Sequence, residues 1–149
     1  MPLLKKKIEP ESFVPAWLLV ALKELGTKEV AGRISNPRIV EYHKATSLRA
    51  TDDETPWCSA FVNWCMVQAK IKGTNRANAR SWLDWGTEIE SPEYGCIVVL
   101  KRGSSKWQGH VGFLVGVEGN KIKILGGNQG NSVSIASFKK SDVIGYRKP

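Results

Sequence analysis

The apolar residues of this chain change their spacing past its middle, and that change limits the folds open to it. Before Gly86 they recur at helical intervals. Pro15 to Leu25 carries Trp17, Leu18, Ala21, Leu22 and Leu25 on one stripe, with Gly26 as a stop. "SNPRIVEYHKAT" offers Asn36 as N-cap and Pro37 as the first helical residue. Thr55-Pro56 repeats that grammar and predicts a third helix running to about Lys70, with Gly73 beyond its end. "NARSWLDWG" adds a turn or two before Gly86. Beyond Tyr94 the pattern becomes short runs rich in β-branched residues, broken by Gly, Asn and Ser: "GCIVVLKR", "HVGFLVGVE", "KIKILGG", "SVSIASF" and "VIGYRKP". Helices followed by a meander of strands predict an α+β domain, its N-terminal helices packed on an antiparallel β-sheet.

At 149 residues the chain fits one domain able to bury a core without staples, with residues 1–14 as a loosely packed arm. Three cysteines, with no CxxC pair, do not make a disulfide framework. Two histidines without short-spaced ligand pairs argue against a zinc site, and we expect neither metal nor cofactor. No apolar run is long enough to span a bilayer. The opening "MPLLKKKIEPESFVPAWLLVALKELG" sets lysines before an apolar stretch. Pro15, Lys23 and Glu24 interrupt it and no small-residue cleavage site follows, so it reads as mature protein made in the cytoplasm without a signal peptide. Lys and Arg outnumber Asp and Glu by 22 to 14, a net +8 that suits an anionic partner such as nucleic acid, an anionic membrane or a bacterial envelope.

In "TPWCSAFVNWC" a cysteine stands in the predicted first turn of the third helix. With Thr55 as N-cap, Cys58 is N3, where unpaired backbone N–H groups and the helix dipole favour a thiolate. It also shares a face with Val62, Cys65, Met66 and Ala69, so an inert core cysteine fits as well. Cys65 and Cys96 read as core.

A nucleophilic cysteine needs a base, and the base needs an orienting group. His43 lies within a helix and reads as a surface or half-buried residue. His110 opens the apolar strand "HVGFLVGV", at the rim of a core. If the following hairpin turns through Glu118-Gly119-Asn120, His110 faces Asn128; a two-residue loop at Gly119-Asn120 brings Gln129 opposite instead. Either way an amide side chain stands beside the imidazole, able to fix its tautomer. Cysteine, histidine and asparagine in that order is a thiol-hydrolase arrangement.

"TPWCSAFVNWC", "GHVGFLVG" and "GGNQGNSVSI" resemble the cysteine- and histidine-dependent amidohydrolase/peptidase (CHAP) family and its NlpC-like relatives. "PAWLLVALKELGTKEVAG…NPRIVEYHKAT" and "GTNRANARSWLDWG" resemble a compact bacterial and phage branch of it, so the likeness runs from about Pro15 to Arg147. It implies a papain-like fold and hydrolysis of amide bonds in bacterial peptidoglycan, with Cys58 as nucleophile, His110 as base and Asn128 as the group orienting the ring. Many CHAP domains carry a glutamate two positions before that asparagine; here the position is Gly126. Trp57, Trp107 and Gln108, neighbours of Cys58 and His110, are candidate substrate-binding residues.

The resulting expectation is a monomeric peptidoglycan hydrolase, cutting as an N-acetylmuramoyl-L-alanine amidase or a stem or cross-bridge endopeptidase. As a phage endolysin it would act in the periplasm or cell wall after release; the alternative is an injected antibacterial toxin with an immunity protein as partner. A non-catalytic wall-binding module is the rival outside enzymes, although the chain keeps both nucleophile and base. Nucleic-acid binding ranks below these, because most of the six tryptophans fall where core packing explains them.

Overall fold

A computed structural model describes residues 14–32 and 34–149. The arm expected over residues 1–14 thus lies, except for Val14, outside the described residues. The helices are α1 (Ala16–Lys23), α2 (Pro37–His43) and α3 (Cys58–Gln68), followed by a 3-10 turn, Ala79–Asp84. The strands are β1 (Thr87–Ile89), β2 (Ile97–Lys101), β3 (Gly109–Glu118), β4 (Lys121–Gly126), β5 (Ser134–Lys139) and β6 (Val143–Lys148). They form one antiparallel sheet in the order β1-β6-β2-β3-β4-β5, giving the expected α+β architecture. β1 was not foreseen: three residues after Gly86 pair with β6, Glu88 opposite Arg147.

α2 begins as its sequence dictates. The Asn36 side chain accepts a hydrogen bond from the Arg38 N–H at 2.8 Å, with Pro37 at the first helical position. α3 does not. Its N-cap is Trp57, so Cys58 is the first helical residue rather than the third. The Thr55 N–H donates to Asp52 Oδ1 at 2.7 Å, which leaves that residue in the preceding turn. Trp57 is fully buried, and its indole N–H donates to Glu29 Oε2 at 2.9 Å, fixing its backbone outside the helix.

α3 is also not the one-sided helix that the sequence stripe implied. Every residue from Cys58 to Met66 is buried, while Ala69, placed on the buried stripe, is only partly so. The helix packs on β3 and on α1 and α2. Tyr42, Phe61 and Phe113 form an edge-to-face chain from α2 through α3 to the sheet, with centroids 5.1 and 6.4 Å apart. Such contacts add about 0.5–1.5 kcal/mol each beyond burial. The opposite sheet face carries a second apolar cluster, with Val98, Leu100, Leu114 and Ile124 at its centre.

Two ties bring the ends of these elements to one place. Residues 26–29 run beside 131–133, through Gly26 N–H to Val133 O (3.0 Å), Val133 N–H to Thr27 O (2.7 Å) and Glu29 N–H to Asn131 O (2.9 Å). Gly127 lies flat on the start of α3: a Cβ there would come within 2.7 Å of Phe61 Cβ and 2.8 Å of the Trp57 ring. The turn after β4 is therefore held against the first residues of α3.

Candidate active site

Cys58 enters the site from the start of α3, where the first-turn N–H groups lack intrahelical partners and the helix dipole is positive. Position N1 keeps the thiol in that field despite the shift from the predicted N3. Ser59, next along, anchors one wall: its hydroxyl donates to Arg76 O at 2.7 Å and accepts from the Trp82 indole at 2.9 Å. The Asn63 carboxamide, one turn on, accepts from the Asn75 N–H at 2.9 Å. These buried polar groups hold residues 74–82 along α3 and so place the Ala77–Ala79 segment beside Cys58.

His110 enters from the start of β3, opposite Leu100 of β2. Its ring stacks on Phe138, with centroids 5.2 Å apart and planes at 25°. The orienting amide is decided by where β4 ends and how the chain turns after it, not by the β3–β4 register alone. Glu118 pairs with Lys121, so the turn is the two-residue Gly119-Asn120 loop. A bulge between Leu114 and Gly116 then shifts the register, and Leu114 pairs with Ile124. β4 ends at Gly126, and Asn128 adopts a left-handed backbone (φ 58°). The chain doubles back, with Gln129 N–H donating to Ser132 O at 3.0 Å.

The amide that meets the imidazole is therefore that of Gln129: His110 Nε2 and Gln129 Oε1 lie 2.8 Å apart. Asn128 is half-buried and lines a hollow with His110, but makes no hydrogen bond to the ring. The two-residue loop considered from sequence is the one present, but the bulge moves the register so that its extension would set Asn128 opposite His110; the end of β4 at Gly126 and the turn that follows bring Gln129 there instead. Gln129 also occupies the space left by the glycine noted above. A Cβ on Gly126 would stand 2.5 Å from Gln129 Oε1 and 3.5 Å from His110 Nε2.

The hydrogen bonds assign the tautomer. The Gln129 NH2 group donates to Ser134 O at 2.8 Å and Ile124 O at 3.1 Å, so its oxygen is the atom turned to the ring. His110 Nε2 must then be the donor, which leaves Nδ1 for Cys58. Burial pushes the Cys58 thiol up, but the His110 hydrogen bond and charge, with backbone groups of Val111 and Ser59, outweigh it, and the net shift is down. Burial pushes His110 down, but the hydrogen bond and charge of Cys58 and the Gln129 hydrogen bond outweigh it, and its net shift is up despite the nearby Arg102. The two shifts together favour a thiolate–imidazolium pair. Both residues remain slightly accessible, Cys58 by 7% and His110 by 6%.

Two hollows flank the pair. One of about 520 Å³ is lined by His110, Gln129 and Phe138; one of about 210 Å³ is lined by Cys58, Trp107 and Gln108. Trp107 is 74% exposed at the rim. Trp57, named with them from sequence, is instead fully buried and offers no surface to a substrate. Cys65 and Cys96 are buried in apolar clusters; burial pushes the first well up and the second to about 12. His43, expected at the surface or half-buried, is fully buried without a hydrogen bond at either ring nitrogen. Among the described residues, no three or more His, Cys, Asp or Glu side chains gather as a metal site, and no helix is long and apolar enough to cross a membrane.

Helices followed by one antiparallel sheet, with a thiol at a helix start and an imidazole at a strand start, make a papain-like arrangement. Residues 50–128 match the CHAP domain family, and the chain belongs to it. That match contains Cys58 and His110 and stops one residue short of Gln129. The family's members are generally cysteine peptidases or amidases acting on peptidoglycan. The fold is similar to that of a lipoprotein-like NLP/P60-family protein from Staphylococcus aureus subsp. aureus Mu50, with a TM-score of 0.52 and 19% identity over 94% of this chain. This chain spans 42% of that structure's length. No curated protein is a significant match.

Proposed function

We propose that this chain hydrolyses an amide bond in bacterial peptidoglycan, with Cys58 as nucleophile, His110 as acid and base, and Gln129 orienting the ring. The observation that carries the reading is the imidazole whose Nε2 lies 2.8 Å from Gln129 Oε1, which leaves Nδ1 available to the thiol whose pKa His110 lowers.

In this mechanism the thiolate sulfur attacks the amide carbonyl carbon, and the carbonyl π pair moves to oxygen. The oxyanion is met by the backbone N–H of Cys58 at the positive end of α3. The C–N bond breaks, and the departing amine takes its proton from His110 Nδ1, leaving a thioester and a neutral imidazole. Nδ1 then removes a proton from water, which attacks the thioester. The acid leaves and the thiolate–imidazolium pair is restored. Asn128, which the family resemblance put in the orienting role, becomes a residue of the groove wall.

Either an N-acetylmuramoyl-L-alanine bond or a stem or cross-bridge peptide bond fits this chemistry. An endolysin is the setting we propose first, acting on the wall; finding a holin gene beside the coding sequence would support it, and finding a secretion cluster with an immunity gene would support the toxin instead. The test of the reaction is a digest of purified peptidoglycan by wild-type protein and Cys58→Ala, with fragments read by mass spectrometry. Fragments from the wild type alone support the reading, and their new termini name the bond. Binding to several wall types without cleavage by either protein overturns it in favour of a binding module.

A further inference from the structure

The hollows beside Cys58 and His110 share one lining residue, Arg102. It follows β2 directly, two positions beyond Leu100, the partner of His110. Arg102 thus stands just past the end of the strand that carries His110's neighbour, between the two hollows at the rim of the site. It is exposed, and among the described residues its guanidinium makes no ion pair and no hydrogen bond. Its charge nevertheless reaches His110, where it opposes protonation.

The contrast with Arg80 shows that Arg102 is not needed to hold the loop. Arg80 donates through Nε to Gln108 O and through Nη2 to Ser105 O, each at 2.8 Å, and so braces the β2–β3 connection. Arg102 braces nothing. No carboxylate lines the smaller hollow, and Asp142, which lines the larger one, forms no ion pair with Arg102. A guanidinium left uncompensated beside the reacting atoms suits a planar anion, which it can grip with two parallel hydrogen bonds.

We propose that Arg102 forms a carboxylate-binding subsite, so that the amide cleaved at Cys58 is flanked by a free carboxylate of the same substrate. This rests on the hydrolase reading for its substrate but not for its test. Iodoacetate and iodoacetamide alkylate thiolates by the same displacement, and only the former carries a carboxylate. The ratio of their rates at Cys58 cancels changes in thiolate fraction, and the alkylated peptide identifies Cys58 against the buried Cys65 and Cys96.

In Arg102→Gln the iodoacetate-to-iodoacetamide ratio should fall about two- to five-fold, the size of an exposed charge contact. Arg102→Lys, which keeps the charge but loses the planar fork, should give a ratio between those of wild type and Arg102→Gln. An unchanged ratio in Arg102→Gln, or a full wild-type ratio in Arg102→Lys, overturns the subsite, the second because charge without the fork would then suffice. A wall digest that fails while the ratio responds removes the hydrolase reading and leaves the subsite standing; an intact digest with an unresponsive ratio does the reverse.

Discussion

Gln129 fills the room that Gly126 leaves. A side chain at 126 would place its Cβ 2.5 Å from the oxygen that holds His110. Gly126→Ala should therefore push the carboxamide off the ring without needing to move backbone. Losing one hydrogen bond to a charged group costs about 1.5–3 kcal/mol, so kcat/KM for wall cleavage should fall roughly 10- to 100-fold. Nitrogen chemical shifts of the His110 ring should show the Nε2–H form weakened. Wild-type shifts with activity within threefold would mean that Gln129 does not orient the ring.

The shifts of Cys58 and His110 set the sign of the pH dependence. A thiol shifted down and an imidazole shifted up both raise the share of the thiolate–imidazolium form, which needs the first deprotonated and the second protonated. Alkylation of Cys58 by iodoacetamide should therefore set in at lower pH than that of an ordinary thiol. Removing the sulfur in Cys58→Ala leaves burial and Arg102 to dominate, so His110 should titrate lower than in the wild type. An NMR titration of His110 checks this; an unchanged or higher value would deny the coupling.

His43 gives an acid-sensitivity prediction of opposite origin. Burial lowers its pKa, opposed in part by Asp52 and Asp53. The unfolded chain then binds the proton first, so this residue's share of stability is whole above about pH 6.5 and is lost as pH falls through the folded value. His43→Phe should flatten the fall of Tm between neutral and mildly acidic pH relative to wild type, because it removes the proton and both unsatisfied nitrogens. A steeper fall in the variant would refute the assignment.

Gly127→Ala tests the docking of the β4–β5 turn on α3. The added carbon would sit 2.7 Å from Phe61 Cβ and 2.8 Å from the Trp57 ring, both packed in the core. Overpacking there should destabilise by about 1–3 kcal/mol in urea unfolding. It should also slow Cys58 alkylation, because the turn that carries Gln129 moves. Wild-type stability would show that the contact yields.

Much of this was legible in the sequence. Asn36-Pro37 marked the start of α2 because cap chemistry is local. The change from helical spacing to short β-branched runs gave the α+β class, and the rim position of His110 singled it out from His43. The start of α3 misled because Thr55-Pro56 has cap grammar, while a distant carboxylate at Glu29 fixes Trp57 outside the helix. The choice between Asn128 and Gln129 depended on the end of β4 at Gly126 and a left-handed residue after it, and spacing alone reports neither. β1 is three residues long and becomes a strand only beside β6. Arg102 carried no sequence signal apart from its charge; its meaning comes from the two hollows that meet at it.

β6, last of the strands in the chain, lies between β1 and β2 rather than at an edge. During synthesis, therefore, neither of its neighbours can complete its pairing until residues 143–148 have emerged. The thiol at Cys58 is made some eighty residues earlier, and waits for His110 and Gln129 to be set on a finished sheet. On the proposed reading, reactivity is acquired late and by the assembled molecule, and chains lacking residues 143–148 should carry a cysteine of ordinary behaviour.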